Sequence, residues 1–213
     1  MGDIPIFTTD FGVATLILKE IPYKQVAFIR IQDVQPGGLK AHLDECVAFC
    51  RAAGAERVLA SGHPELETYP LDSVVEEMAL AYEPEEPSAM LWPVTEKTVA
   101  RWRELYNGGM AGQDNHATLT SFDEKKIISS GGAYFVHRDG DLLGLGWVQE
   151  HELLALVSLK PGMGETVART LFTVMGTDRI TLEVVAENRR AVALYRRMGF
   201  VKTRELRRWY KIL

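Results

Sequence analysis

The sequence contains little cysteine and no long apolar run. Its two cysteines, Cys46 and Cys50, lie four residues apart with no second pair to complete a zinc site. We therefore expect two reduced core cysteines rather than a disulfide framework. No apolar run approaches the about 18–20 residues that a membrane-spanning helix needs. The first residues lack the pattern of a signal peptide. These features predict a cytoplasmic protein without membrane partners.

An excess of positive charge is also missing. The chain has 24 Lys and Arg against 29 Asp and Glu, a formal net charge of -5. A dedicated nucleic-acid binder concentrates Lys and Arg for phosphate contacts, so no nucleic-acid partner is expected. The five histidines show no metal-ligand spacing, so no metal is expected either.

The clearest boundary is the segment 83–88, which contains two prolines and three carboxylates. Such a composition cannot pack a core and disfavours regular structure. We predict an N-terminal α/β subdomain at 1–82, a linker at 83–88 and a second domain at 89–213.

The second domain shows alternating strand and helix patterns. We predict a helix over 96–106 with Thr95 as its N-cap, a polar and ambiguous region over 111–130, and a second helix over 165–175. The predicted strands of this domain cover 89–94, 133–137, 142–149, 152–159 and 179–185.

The stretch after the last of these strands is the most informative. Asn188 is a good N-cap, because its side chain can accept from the first free backbone N–H groups. Apolar residues then recur at helical spacing, and Gly199 can supply the left-handed end of the helix. The apolar stripe consists of Ala191, Leu194, Tyr195 and Met198.

This stretch resembles the last helix of the GNAT superfamily of acetyl-CoA-dependent N-acetyltransferases, N-x-x-A-x-x-L-Y-x-x-x-G-F. The matching positions are Asn188, Ala191, Leu194, Tyr195, Gly199 and Phe200. The element order over about 89–213 is also similar to that family. The resemblance implies the GNAT fold: a mixed, mostly antiparallel central sheet flanked by helices, here preceded by an N-terminal α/β subdomain.

The N-terminal part has two interpretations. A strand, the turn 35–38 and a helix over 39–53 repeat the order found around 160–164, as a truncated GNAT-like half would. A convergent strand–turn–helix–strand unit explains the same pattern equally well. This part has no counterpart of the Asn188 helix, so no cofactor site is predicted in it.

By the resemblance, acetyl-CoA is the cosubstrate. Its pyrophosphate needs a glycine-rich turn that opens a helix. The residues predicted to hold it are Lys160, Gly162, Met163, Gly164, Glu165 and Thr166. The turn is shorter than is usual in the family, and Leu159 stands where the family has Gln or Arg.

The resemblance also implies roles for neighbouring residues. Val157, Ser158 and Leu159 would pair with the pantetheine arm and offer an N–H to the thioester oxygen. Tyr195 would act as the general acid that protonates the leaving thiolate, and Asn188 would contact the cofactor.

The general base and the acceptor are less constrained. Glu152 is the first candidate for the base and Glu183 the second, although lone carboxylates are usually solvated. The acceptor is expected to be a primary amine of a small molecule or peptide, recognised by the region 102–122. Its polar candidates are Glu104, Tyr106, Asp114, Asn115 and His116.

Besides a purely structural pair of α/β domains, two functions remain open at this point. The first is an N-acetyltransferase, favoured by the intact last helix. The second is a GNAT-fold binding or regulatory protein without turnover, favoured by the short loop. The N-terminal part could border the acceptor cleft or form a homodimer contact, and the sequence leaves both open.

Overall fold

The computed structural model describes residues 2–113 and 116–213. By its internal contacts the chain divides into two compact units. The first comprises the residues up to Val75 together with Leu206–Leu213, and the second comprises Glu76–Glu205. The segment 83–88 contains neither helix nor strand. The sequence-based division into domains at this segment stays a prediction.

The first unit is a small sheet covered by one long helix. Its elements are β1 (Ile4–Thr9), β2 (Gly12–Ile17), α1 (Ile21–Lys24), β3 (Val26–Val34), α2 (Leu39–Ala52), β4 (Arg57–Ser61), a 3-10 turn (Pro64–Thr68), the start of β5 (Leu71–Ala81) and the end of β11 (Val201–Lys211). The strand order is β1-β2-β3-β4-β11. β3 and β4 are parallel and pair from Val26↔Arg57 to Arg30↔Ser61.

The core of the first unit lies between α2 and the sheet. Leu43, Cys46 and Cys50 of α2 are buried there against Leu16 and Ile29 of the strands. Both cysteines are free thiols, as the sequence predicts. Each large apolar side chain buried in this way stabilises the unit by about 1.5–3 kcal/mol.

The second unit is a mixed sheet with helices on both faces, which confirms the predicted fold class. Besides parts of β5 and β11, it contains β6 (Met90–Pro93), α3 (Val99–Gly109), a 3-10 turn (Ser121–Asp123), α4 (Glu124–Ser130), β7 (Ala133–Arg138), β8 (Asp141–Gln149), β9 (Glu152–Ser158), α5 (Gly164–Phe172), β10 (Arg179–Val185) and α6 (Arg189–Arg197). The strand order is β11-β5-β10-β9-β8-β7-β6.

Two apolar cores cover the two faces of this sheet. One contains residues of α5 and α6, and the other contains residues of α3 and α4. The glycines of β8 allow α5 to approach closely. A β-carbon on Gly146 would lie 2.2 Å from Leu171 Cδ1, and one on Gly144 would lie 2.8 Å from Val167 Cγ2. Any larger side chain at these positions would therefore push α5 off the sheet.

Strand β9 contains a β-bulge. Trp147 pairs with Ala155, but the next residue of β8, Val148, pairs with Leu153. Leu154 is therefore an extra residue in β9, and it changes which face the following side chains occupy. Leu153 packs in the α5/α6 core, whereas Ala155 and Val157 pack in the α3/α4 core.

Beyond the bulge, β9 and β10 separate. These parallel strands pair at Thr181↔Glu152 and Leu182↔Leu153, near their N-terminal ends. Among the described residues no pairing joins the rest of β9 to β10. The unpaired part of β9 thus borders a gap, which lies directly before the N-terminus of α5. In the first unit, by contrast, β3 and β4 pair along the whole of β4, so no comparable gap opens there.

Several element boundaries differ from the sequence predictions. α3 begins at Val99 rather than at residue 96, because Thr95 and Thr98 form a turn in which the Thr98 N–H donates to Thr95 O at 2.9 Å. The helix also continues through Gly109, three residues beyond the predicted end at 106. Strands β1 and β5 were not predicted.

Candidate active site

A cleft of about 470 Å³ in the second unit lies along the part of β9 that does not pair with β10. Residues of β9, of the end of α3, of the whole length of α6 and of the turn before α5 line it. They are Gly109, Met110, Gln113, Leu156, Val157, Ser158, Gly162, Gly164, Asn188, Arg190, Ala191, Ala193, Leu194, Tyr195 and Arg197. The cleft therefore combines strand backbone with the first residues of two helices.

The turn before α5 presents free backbone donors to this cleft. Met163 N–H donates to Lys160 O at 3.2 Å, and Gly162 takes a φ of +79°, which favours glycine. The first helical bond runs from Val167 N–H to Met163 O at 2.9 Å. The N–H groups at the start of α5 therefore have no partner inside the helix. Together with the helix dipole they favour an anion.

The charged side chains of this turn are already paired. Lys160 Nζ lies 2.5 Å from Asp141 Oδ2, and this contact lowers the pKa of Asp141. Glu165 Oε1 accepts from Arg169 Nε at 2.9 Å, and Arg169 also binds Glu85 at 2.7 Å. The Lys160 ammonium group, which the sequence suggested as a positive charge for a phosphate, is therefore paired with Asp141. The Arg169 guanidinium group neutralises the Glu165 carboxylate beside the cleft.

Asn188 caps α6 as predicted and also joins it to the segment after α3. Its Oδ1 accepts from the Ala191 N–H at 3.1 Å, and its Nδ2 donates to Gln113 Oε1 at 3.1 Å. Gly199, with a φ of +97°, follows the end of the helix. The amide thus fixes the first turn of α6 at one end of the cleft.

The apolar residues of α6 divide between the core and the cleft. Val192, Tyr195 and Met198 are buried in the α5/α6 core, whereas Ala191 and Leu194 are half-buried. Tyr195 also contributes to the cleft wall. Burial raises the pKa of Tyr195 to about 12. Its hydroxyl therefore remains protonated, and able to donate, throughout the neutral range.

The structure brings several predicted cosubstrate residues together with Tyr195. Val157, Ser158, Gly162, Gly164 and Asn188 all line the cleft. The other predicted residues surround it without lining it. Leu159 N–H donates to Leu143 O at 2.9 Å, Met163 precedes α5, and Lys160, Glu165 and Thr166 belong to the turn and the first helical turn.

The predicted bases lie further along the strands. Glu152 begins β9 and is four residues from Leu156, about 13 Å along a strand. Burial and the nearby charge of Glu183 raise the pKa of Glu152. Glu183 is exposed on β10, two residues beyond the Thr181 that pairs with Glu152. Neither carboxylate lines the cleft.

The described polar candidates that were predicted to recognise the acceptor also lie outside the lining of the cleft. Glu104 is 3.4 Å from Arg101 on the surface of α3. Tyr106 is buried, stacks on Trp102 and donates to Ala117 O at 3.4 Å. His116 lies beside the Tyr106 ring, with the ring centroids 6.0 Å apart. Asp114 and Asn115 are outside the described residues.

Several cleft residues were not predicted. Gly109 and Met110 reach the cleft because α3 continues past the expected stop. Gln113 comes from the polar region 111–130, for which the sequence predicts no definite element. Arg190 and Arg197 were visible as charges in the last helix, but only the packing of Leu194 against the start of α5 shows which arginines face the cleft.

In the described part of the chain, no three His, Cys, Asp or Glu side chains lie together in a way that could hold a metal ion. Within residues 2–113 and 116–213, every helix is too short or too polar to cross a lipid bilayer.

No protein-family model matches the sequence, and no curated protein is similar to it in sequence. Solved structures are similar to it in fold. A GCN5-related N-acetyltransferase from Kribbella flavida has a TM-score of 0.60 at 17% identity, covering 98% of this chain and 90% of its own. A GCN5-related N-acetyltransferase from Sphaerobacter thermophilus has a TM-score of 0.57 at 14% identity, covering 93% of this chain and 75% of its own.

A third similar structure is a tandem GNAT protein from the clavulanic acid biosynthesis pathway. Its TM-score is 0.53 at 13% identity, with 94% of this chain and 78% of its own covered. These similarities extend over nearly the whole chain. The protein has the fold of the GCN5-related N-acetyltransferases.

Proposed function

We propose that this protein is an N-acetyltransferase that transfers the acetyl group of acetyl-CoA to a primary amine of a small molecule or peptide. The observation that carries the proposal is the cleft along the part of β9 that does not pair with β10, which has Gly164 at the start of α5 and Tyr195 in its wall. An extended thiol ester with a pyrophosphate at one end matches this combination of strand backbone and free helix N–H groups.

The chain's own groups supply most of the binding chemistry. The backbone of Val157 and Ser158 at the open edge of β9 can pair with the amides of the pantetheine arm. An N–H of this strand donates to the thioester oxygen and stabilises the oxyanion that forms when the amine attacks. The turn at Gly162 and Gly164 receives the pyrophosphate.

The reaction is a direct transfer. The neutral amine nitrogen attacks the acetyl carbonyl carbon, so a C–N bond forms. The C–S bond then breaks, and its electron pair goes to sulfur. The Tyr195 hydroxyl donates to that sulfur, while the proton lost by the amine goes to a base. Because burial raises the Tyr195 pKa to about 12, the hydroxyl retains its proton until sulfur becomes negative.

Glu152 is the proposed base. Its raised pKa brings the carboxylate closer to the basicity that proton transfer at neutral pH needs. Since it is about 13 Å along the strand from Leu156, we expect the proton to reach it through water. Glu183 is the second candidate.

One observation favours a second function, that of a GNAT-fold binding or regulatory protein without turnover. The turn before α5 is short, and its Lys160 is paired with Asp141. The two functions differ in whether free coenzyme A appears. Incubation of the protein with acetyl-CoA and a panel of primary amines, followed by thiol titration, tests this. Amine-dependent thiol release that is lost in Tyr195→Phe supports the enzyme; acetyl-CoA binding without release by any amine supports the binding protein.

A further inference from the structure

A second pocket of the second unit, here called the β10 pocket, lies at the N-terminal ends of β9 and β10. It has a volume of about 670 Å³, and none of its described lining residues lines the cleft. Three threonines form part of its wall. The charged and titratable residues of the wall are Glu77, His151, Arg179 and Arg204. The β10 pocket therefore contains two guanidinium groups and one carboxylate.

The carboxylate of the β10 pocket is already paired. Glu77 Oε2 accepts from Arg204 Nη2 at 2.7 Å and from Arg204 Nε at 3.2 Å. Glu77 Oε1 accepts from Thr203 Oγ1 at 2.6 Å. The hydrogen bonds from Thr203 and Arg204 lower the pKa of Glu77, so its carboxylate is ionised at neutral pH. The charge of Glu77 thus cancels that of Arg204, whose Nη1 forms no hydrogen bond within the described residues.

Arg179 supplies the remaining positive charge of the β10 pocket. Its side chain is exposed, and within residues 2–113 and 116–213 it forms no ion pair. Its backbone is held by Thr177, whose Oγ1 donates to Arg179 O at 3.0 Å and accepts from Arg179 N–H at 3.1 Å. A guanidinium group on a fixed backbone binds a carboxylate well, because it offers paired N–H donors.

Strand β10 connects this pocket with the proposed base. Alternate residues of β10 pack in the α5/α6 core, namely Ile180, Leu182 and Val184. Arg179, Thr181 and Glu183 therefore lie on the opposite face of the strand. Thr181 pairs with Glu152, and Glu183 is two residues nearer the end of β10 that borders the cleft. Along this face the charge is positive at Arg179 and negative toward the cleft.

From this arrangement we infer that the acceptor is a short peptide whose C-terminal carboxylate binds to Arg179 and Arg204 in the β10 pocket. This inference rests on the proposed function, because it names the acceptor of the same reaction. The order of charges matches a peptide that enters with its ammonium end toward Glu152 and Glu183 and its carboxylate toward Arg179.

The strand spacing sets the length of this acceptor. Glu152 is about 13 Å along β9 from Leu156 in the cleft, and Arg179 is two residues, about 7 Å, before the Thr181 that pairs with Glu152. The amine and the carboxylate should therefore be about 13–20 Å apart. An extended peptide of about four to six residues has this length.

Matched peptides provide the test. Serine–alanine peptides of two to seven residues, each as the free acid and as the C-terminal amide, present the same amine with and without the carboxylate. Thiol release from acetyl-CoA gives kcat and KM for wild type and Arg179→Ala. Arg51→Ala is the control, because it removes an exposed arginine from α2 of the first unit. Both arginines are exposed, so both variants should fold, and calorimetric titration with acetyl-CoA checks that the cleft is intact.

We expect wild type to use free acids of about four to six residues at least about 10-fold better in kcat/KM than their amides, since a hydrogen bond to a charged group contributes about 10-fold or more. In Arg179→Ala this preference should fall below about threefold through a higher KM for the acids, while the amides are used as before. Arg51→Ala should behave as wild type.

Equal use of acids and amides by wild type would overturn the inference and leave the proposed function intact. A preference for acids that survives in Arg179→Ala, or acetylation of other primary amines but of none of these peptides, would have the same meaning. Absence of thiol release with the peptides and with every other primary amine would remove the proposed function itself.

Discussion

Gly109, the last residue of α3, lies directly against Val157 in β9. A β-carbon built on Gly109 would be 2.2 Å from Val157 Cγ1, a distance at which one of the two elements must move. Val157 is buried in the α3/α4 core and borders the cleft beyond the β-bulge. The absence of a side chain at Gly109 therefore lets α3 form one end of the cleft.

This relationship predicts different effects for two neighbouring glycines. Gly109→Ala should displace α3 from β9, lower the free energy of unfolding by about 1–3 kcal/mol and weaken acetyl-CoA binding. Gly108→Ala meets no atom within 4 Å and should be neutral or stabilising by up to about 1 kcal/mol through helix propensity. Urea denaturation and calorimetric titration of both variants check this. If the two variants had equal free energies of unfolding and equal affinities for acetyl-CoA, the contact between Gly109 and Val157 would have no role.

Removal of the Tyr195 hydroxyl should affect turnover more than binding. Tyr195→Phe keeps the buried ring but cannot protonate sulfur, so kcat should fall by about 10²-fold or more while the Kd for acetyl-CoA stays within about threefold. Because burial raises the Tyr195 pKa to about 12, the wild-type rate should show no loss from tyrosine ionisation below about pH 11. A kcat within threefold of wild type would exclude Tyr195 as the acid.

The pH dependence of kcat/KM tests Glu152. Burial and Glu183 raise its pKa, so the carboxylate loses its proton at a higher pH than an ordinary glutamate, and the rate should fall as pH drops through that raised value. Glu152→Gln should remove this acidic limb and lower kcat/KM. Glu183→Gln removes the neighbouring charge and should move the limb to lower pH. If the acidic limb of kcat/KM lay at the same pH in wild type and in both variants, a group other than Glu152 would cause it.

The buried thiols of the first unit predict a loss of stability at alkaline pH. Burial raises the pKa of Cys46 to about 12 and that of Cys50 to about 11. Unfolded thiols release protons from about pH 9, whereas the folded ones retain theirs. The free energy of unfolding should therefore decrease above pH 9, with a limiting slope of about 1.4 kcal/mol per pH unit for each thiol.

Cys46→Ser/Cys50→Ser provides the comparison, because serine does not ionise in this range. Urea denaturation at several pH values between 8 and 11 should give a shallower decline for the variant than for wild type. Parallel declines would mean that other groups, such as lysines, cause the whole alkaline effect.

Local sequence signals predicted the second half of the chain well. The Asn188 cap and the Gly199 stop define α6 through interactions within a few residues, and the bounds of β10 were predicted as 179–185. The fold was implied by the resemblance of this helix and of the element order to the GNAT family. Such features depend on neighbouring residues, so a sequence pattern carries them.

Features that depend on distant contacts were missed. The unpredicted strand β5 carries Glu76 and Glu77. In the second unit these residues bind Lys202, Thr203 and Arg204, more than 120 residues away in sequence. The bulge at Leu154 arises from the register with β8, and the pairing of Lys160 with Asp141 joins residues from separate elements. No local pattern reveals such partners.

The most direct measurement is calorimetric titration of the wild-type protein with acetyl-CoA, beside Gly164→Glu, Gly164→Gln and Tyr195→Phe. We expect micromolar binding by wild type and Tyr195→Phe. Binding should be weaker in Gly164→Gln, which crowds Leu194, and absent in Gly164→Glu, which also places a carboxylate at the anion site. Absence of acetyl-CoA binding by wild-type protein that is folded by circular dichroism would contradict the assignment of the cleft to this cosubstrate.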